Sequence, residues 1–162
     1  MIETFQTLKH KADWETPRSL LNWIEEVSGI SPKIDACATR YNRKCPKFIT
    51  PKKDLFKTEL KEDFFCNPPY ARGQVDKFVE YCHEQSVKNK VNGVCLLFAN
   101  TCSSRYWSKH IGNTPSQMRK NNVELYFPNH RIHFEVNHKP VGAPALASVV
   151  VVWRNDRMDG FA

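Results

Sequence analysis

The chain has six cysteines, at positions 37, 45, 66, 82, 95 and 102, and no two of them form a C-x-x-C pair. Cys37, Cys66, Cys82 and Cys95 sit inside apolar runs. They read as small buried hydrophobes in a reducing cell interior, which argues against a disulfide frame or a zinc site. No stretch approaches the roughly 20 apolar residues of a membrane span. The N-terminus lacks the apolar core of a signal peptide, so a soluble, cytoplasmic protein is expected. Internal repeats are absent. His130 and His133 lie three apart in an expected strand, where alternation sends them to opposite faces, so no metal site is expected there.

What the chain does have is positive charge. Its 162 residues carry 24 Lys+Arg against 17 Asp+Glu, a formal +7, which suggests an anionic partner such as nucleic acid, although a solvated basic surface has the same composition. The charge is concentrated. Arg40, Arg43, Lys44, Lys47, Lys52, Lys53, Lys57 and Lys61 fall in one stretch with only Asp54 and Glu59 between them. The length suits one domain with a real core: an arm over 1–12, a domain over 13–155 and a tail over 156–162.

Helix and strand signals alternate. Thr16-Pro17 reads as a helix start, with Thr16 as N-cap and Pro17 at the first helical position. Leu20, Leu21, Ile24 and Val27 follow on one face, and Gly29 is the stop. Lys33 to Ala38 reads as a short strand ending in small residues, which let a ligand approach the backbone. Residues 40–53 read as a basic surface excursion with a weak strand at 47–50. Val75, Phe78, Val79 and Cys82 have the spacing of an amphipathic helix running to about Val87. Val94 to Phe98 has no polar interruption and suits a strand buried on both faces. Residues 103–122 read as a short helix plus a mobile loop, and Val123–Phe127, Arg131–Val136 and Leu146–Trp153 as strands. The pattern indicates an α/β sheet with a parallel core and an antiparallel edge.

The most informative element is Asn67-Pro68-Pro69-Tyr70, directly after Phe64-Phe65-Cys66. Two prolines, each with φ fixed near −65° and no N–H, end the strand and make a stiff corner. There the Asn67 side-chain oxygen and the Pro68 carbonyl can accept both hydrogens of an exocyclic amino group, and Tyr70 can stack on a base. Accepting both hydrogens draws the nitrogen lone pair out of conjugation and aims it at an electrophile, so catalysis rests on positioning and electrostatics. Taken alone, Asn-Pro-Pro serves equally well as a plain strand-to-helix turn.

Four blocks in order, Asp13-Trp14-Glu15-Thr16-Pro17, Ile34-Asp35-Ala36-Cys37-Ala38, Cys66-Asn67-Pro68-Pro69-Tyr70 and Asn129-His130-Arg131-Ile132-His133-Phe134, resemble the Dam-like DNA N6-adenine methyltransferases of phages and prophages. The resemblance covers about Asp13 to Trp153. It implies a Rossmann-like methyltransferase fold, S-adenosylmethionine as methyl donor, adenine in DNA as acceptor, and the cytoplasm of a bacterial or phage-infected cell. It implies that Asn67, Pro68, Pro69 and Tyr70 are the catalytic motif, with Tyr70 stacking on a flipped adenine. It further implies that Thr16 and Pro17 help hold the methionine portion of the donor. Asp35, Ala36 and Cys37 would form the first cofactor motif at the end of the first strand. Asp54 would accept from the donor's adenine amino group, with Leu55 packing on its ring.

The chain departs from the family where most relatives have glycines, having Ala36, Cys37 and Ala38 instead. About thirty residues separate Asp35 from Asn67, too few for an inserted target-recognition domain. Recognition is therefore expected from loops 40–53 and 103–122, with Arg72, Arg105, Trp107, Arg119, Lys120 and Arg131 as DNA-contact candidates; for each, a solvated surface position is the competing reading. Two other functions fit the same residues. One is methylation of another amino group, such as cytosine N4, an RNA base or a protein glutamine. The other is a DNA-binding protein that has lost catalysis.

Overall fold

A computed structural model describes residues 14–71, 73–142 and 146–156. The expected arm 1–12, Asp13, Arg72 and residues 157–162 lie outside that range. Helix α1 (Arg18–Ser28) precedes strands β1 (Ile34–Asp35) and β2 (Lys47–Phe48), then a short 3-10 turn at Leu55–Lys57 and strand β3 (Phe64–Cys66). Helix α2 (Val75–Asn89) leads to β4 (Gly93–Phe98), a second 3-10 turn at Ala99–Ser103, and helices α3 (Arg105–His110) and α4 (Pro115–Lys120). Strands β5 (Val123–Tyr126), β6 (Glu135–Val136), β7 (Lys139–Pro140) and β8 (Ser148–Trp153) complete the chain.

Six strands form one sheet in the order β2-β1-β3-β4-β8-β5, with β2, β1, β3 and β4 parallel. Antiparallel pairing is confined to one side of the sheet, where β8 is inserted between β4 and β5. The result is a mixed α/β architecture with a mostly parallel sheet. Alternation along the strands divides the core into two layers. Phe64, Cys66, Cys95, Leu97, Val149, Val151 and Trp153 face Val79 and Cys82 of α2 and Trp107 of α3. Phe65, Val94, Leu96, Val150 and Val152 face Leu20, Leu21 and Ile24 of α1, joined by Ile132 and Phe134. Apolar on both faces, β4 and β8 are buried at every position, as strands covered on two sides must be. Gly93 is forced by this packing, because a Cβ there would lie 2.6 Å from Cζ of Phe64.

Several local expectations shift. The N-cap of α1 is Pro17, one residue later than expected, and no side chain caps it; Gly29 stops the helix at φ 72° as read. Val27 is exposed instead of joining the buried face. Residues 103–122 form two helices, each opened by a hydroxyl cap, Ser104 to Trp107 N–H and Thr114 to Gln117 N–H. Arg131–Phe134 is not a strand: only Glu135–Val136 pairs, in a separate hairpin with Lys139–Pro140. Its alternation is real, since Ile132 and Phe134 are buried, but it packs side chains on the α1 layer without joining the ladder. Among the described residues no helix is long and apolar enough to cross a membrane.

Candidate active site

At β1 the strand order reverses, since β2 lies on one side and β3 on the other. Beyond the carboxyl ends of β1 and β3 opens a cavity of about 550 Å³, the place and size expected of a ligand site in an open α/β sheet. Its wall includes Thr16, Asp35, Ala36, Cys37, Asp54, Leu55, Asn67, Pro68 and Pro69. Residues separated by half the chain in sequence are thus brought together. Pro17 lies outside the wall, at the cap of α1.

Asn67 follows directly from β3. Its Nδ2 donates to the Thr16 hydroxyl at 3.1 Å, which leaves Oδ1 buried with no hydrogen-bond partner. A buried acceptor without a donor costs about 1–3 kcal/mol, so the wall of the cavity holds an acceptor ready for a ligand N–H. Tyr70 is fixed differently. Its hydroxyl donates to the Leu96 carbonyl at 2.7 Å, and its ring lies 4.7 Å from that of Phe98. Burial pushes its phenol well above the usual range. The ring borders a second, more open cavity of about 470 Å³, shared with Ala71, Tyr106 and Arg105.

The turn after β1 explains how the chain manages without glycine. Asp35 is buried, and its carboxylate accepts the N–H of Lys44 at 2.9 Å and of Cys37 at 3.4 Å. Burial raises its pKa, against the lowering effect of these two bonds. No residue from Ala36 to Cys45 has a positive φ. The carboxylate closes this loop, so a left-handed glycine is not needed. Cys37 is half-buried in the cavity wall, 3.7 Å from Sγ of Cys66. Cys45, not singled out as apolar in sequence, is buried as well.

Asp54 has φ 65° and ψ 110°, a rarely adopted conformation for a residue with a Cβ. It is tied down by its side chain, which accepts from Phe56 N–H at 3.0 Å, and by its carbonyl, which accepts from Thr58 at 2.9 Å. Strain held in place in a cavity wall is characteristic of ligand-contacting positions.

The DNA-contact candidates separate. Arg105 is exposed beside Tyr70, and Arg131 is exposed in the segment after β5. Trp107 does not reach the surface: it is 3% exposed, with Nε1 donating to the Gly112 carbonyl at 3.0 Å. Its polar neighbours in sequence hide a core residue. Arg119 and Lys120 end α4 just before Val123, which pairs with Trp153, itself paired with Gly93. They stand at the opposite end of the strands from Asn67. On the basic excursion, Tyr41 is 82% exposed, and its neighbours Thr39 and Asn42 line the main cavity.

Sequence reading missed Glu15 and Lys44 in the cavity wall. Both are charged residue types whose burial nothing in their neighbours signals. Glu15, Glu135 and His138 are the one group of three among the described residues close enough to share a cation, and the Lys44 ammonium lies 3.9 Å from the same Glu15 oxygen. A resident ammonium there disfavours a metal ion.

A search of curated proteins finds no match to this chain. The family model for DNA N-6-adenine-methyltransferase (Dam) matches residues 4–159. With nearly its whole length matched, the chain belongs to the Dam family of DNA N-6-adenine methyltransferases.

Proposed function

We propose that this chain, on a Rossmann-like methyltransferase fold, methylates the N6 amino group of adenine in DNA, with S-adenosylmethionine as donor and the target base rotated out of the helix. The observation that carries this reading is the buried, unpartnered Oδ1 of Asn67. An amino group needs such an acceptor, and the Pro68 carbonyl of the same stiff corner supplies a second. Together they take both N6 hydrogens and localise the nitrogen lone pair. Rotation of the base is required because N6 is otherwise paired and stacked. Tyr70, held by Leu96 and braced by Phe98, presents a ring of fixed orientation for the extruded base.

S-adenosylmethionine supplies an electrophilic methyl on a sulfonium. The cavity fits a ligand of that class: Thr16, Asp54 and Leu55 line it together with Asn67, which directly follows β3. The exposed Tyr41, flanked by the exposed Arg40 and Arg43, suits a single-stranded or distorted backbone, combining charge with a stacking face. Arg105 and Arg131 serve as phosphate contacts in the same reading.

The test is incubation with labelled S-adenosylmethionine and duplex DNA, followed by digestion and identification of the labelled nucleoside. Label in N6-methyladenine is expected. Label in N4-methylcytosine, or label only with RNA or protein acceptors, replaces this reading with another amino-group methylation; binding of DNA without any transfer replaces it with a non-catalytic role.

A further inference from the structure

A phenylalanine stands in the open at the same end of the sheet as Asn67. Strand β8 runs antiparallel to β4, and β5 runs antiparallel to β8, so β5 points the same way as β3 and β4. Register fixes the level. Cys66 pairs with Cys95, and Tyr126 is matched through Val150 to Leu96, one step further along β4. Asn67 and Phe127, each the residue after its strand, therefore leave the sheet from the same edge. With β4 and β8 between their strands, they stand roughly 14 Å apart, three strand spacings.

Phe127 is 60% exposed. A lone exposed apolar ring is ordinary, but the chain on either side holds this one out. Tyr126 before it is paired in β5, and Pro128 after it has a backbone with φ fixed near −65°. Ile132 and Phe134 then bury themselves in the α1 layer, which pins the turn at its far end. Among the described residues Phe127 has no ring partner; Phe56, the other exposed phenylalanine, leans edge-on against Phe78 and Tyr81. The turn that Phe127 heads carries Asn129, His130 and Arg131, all exposed and none acidic, a surface that accepts a phosphate backbone.

We propose that Phe127 enters the base stack of duplex DNA at the step that the acceptor adenine vacates. The inference rests on the function proposed above and adds how the duplex is kept open: Asn67 and Tyr70 hold the extruded base, and Phe127 holds the gap behind it. Extrusion leaves neighbouring base faces in water and a space into which the adenine can return. An apolar ring covers those faces and blocks the return. Its lack of polar atoms asks nothing of the base sequence around the gap. The spacing between Asn67 and Phe127 is close to the width of the major groove, about 12 Å, so one duplex can meet both.

The wedge is tested with one genomic DNA that lacks adenine methylation, offered native and heat-denatured, and methyl transfer measured as kcat/KM on each. Phe127→Ala is expected to lose tenfold or more on native DNA and less than twofold on denatured DNA, where no stack has to be held open. Phe127→Trp, which keeps an aromatic wedge, should stay within threefold of the wild type on both. An unchanged rate of Phe127→Ala on native DNA, or equal losses on the two forms, overturns the wedge. Thermal unfolding of the same variants separates a loss of fold, which lowers both rates alike, from loss of the wedge, which lowers only one. Transfer by the wild type to denatured DNA alone also overturns it. If the wild type transfers label to neither form, the function reading fails and the wedge fails with it; failures confined to Phe127→Ala leave that reading standing.

Discussion

The Thr16 hydroxyl, just ahead of α1, holds the Asn67 amide at 3.1 Å across 51 positions of sequence. The bond turns Oδ1 of Asn67 away from Thr16. Thr16→Val is therefore predicted to lower kcat for methyl transfer by roughly tenfold or more, the effect of misplacing one acceptor, with a smaller change in KM for S-adenosylmethionine. Thr16→Ser should restore kcat. A Val variant that raises only KM would show that Thr16 binds the donor and does not position Asn67.

Gly93 and Phe64 make a second pair of neighbours. A methyl group on Gly93 would sit 2.6 Å from the Phe64 ring, which is fully buried. Gly93→Ala should destabilise the protein by about 1–3 kcal/mol through overpacking. In urea denaturation, adding Phe64→Leu should recover part of that loss. Simple additivity of the two substitutions would contradict the steric account.

His83 stacks on Trp153 with ring centroids 5.6 Å apart, and its Nδ1 lies 3.0 Å from Nδ1 of His110. Burial, then the neighbouring His110, lowers its pKa from 6.5 to about 4. Between those two pH values the unfolded chain binds a proton that the folded chain refuses, so stability rises with pH across the window and is lost as pH falls through it. Urea midpoints at pH 7 and pH 5 should differ, and His83→Phe should narrow the difference. An identical difference in the variant would remove His83 from the account.

Asp54 combines a positive φ with a side-chain cap on Phe56 N–H. Asp54→Gly removes both the strain and the cap and should stay within about 1 kcal/mol of wild-type stability. Asp54→Ala keeps a Cβ in the strained conformation and loses the cap, a cost of about 1–2 kcal/mol. Both should weaken S-adenosylmethionine binding by calorimetry; wild-type affinity in the glycine variant would remove Asp54 from the donor site.

Much of this arrangement was legible in the sequence where one local signal dominates. The unbroken apolar run from Val94 to Phe98 suited a doubly covered strand, and the two prolines at 68 and 69 fixed where β3 ends. Arg131–Phe134 misled because buried alternation arises from side-chain packing as readily as from a ladder. Trp107 misled because a helix of polar residues can turn one aromatic inward. The missing glycines at 36–38 suggested a weakened cofactor turn; what substitutes is a hydrogen bond from Lys44 N–H to Asp35, nine residues back, which no motif records. Contacts such as Thr16 with Asn67 depend on how α1 meets β3, and pattern within either segment carries no trace of them.

The central claim is tested most directly by Asn67→Ala, assayed for methyl transfer from labelled S-adenosylmethionine to duplex DNA alongside calorimetric donor binding and thermal unfolding. The account predicts wild-type stability, retained donor binding and no label in N6-methyladenine. Transfer at the wild-type rate in that variant would contradict it.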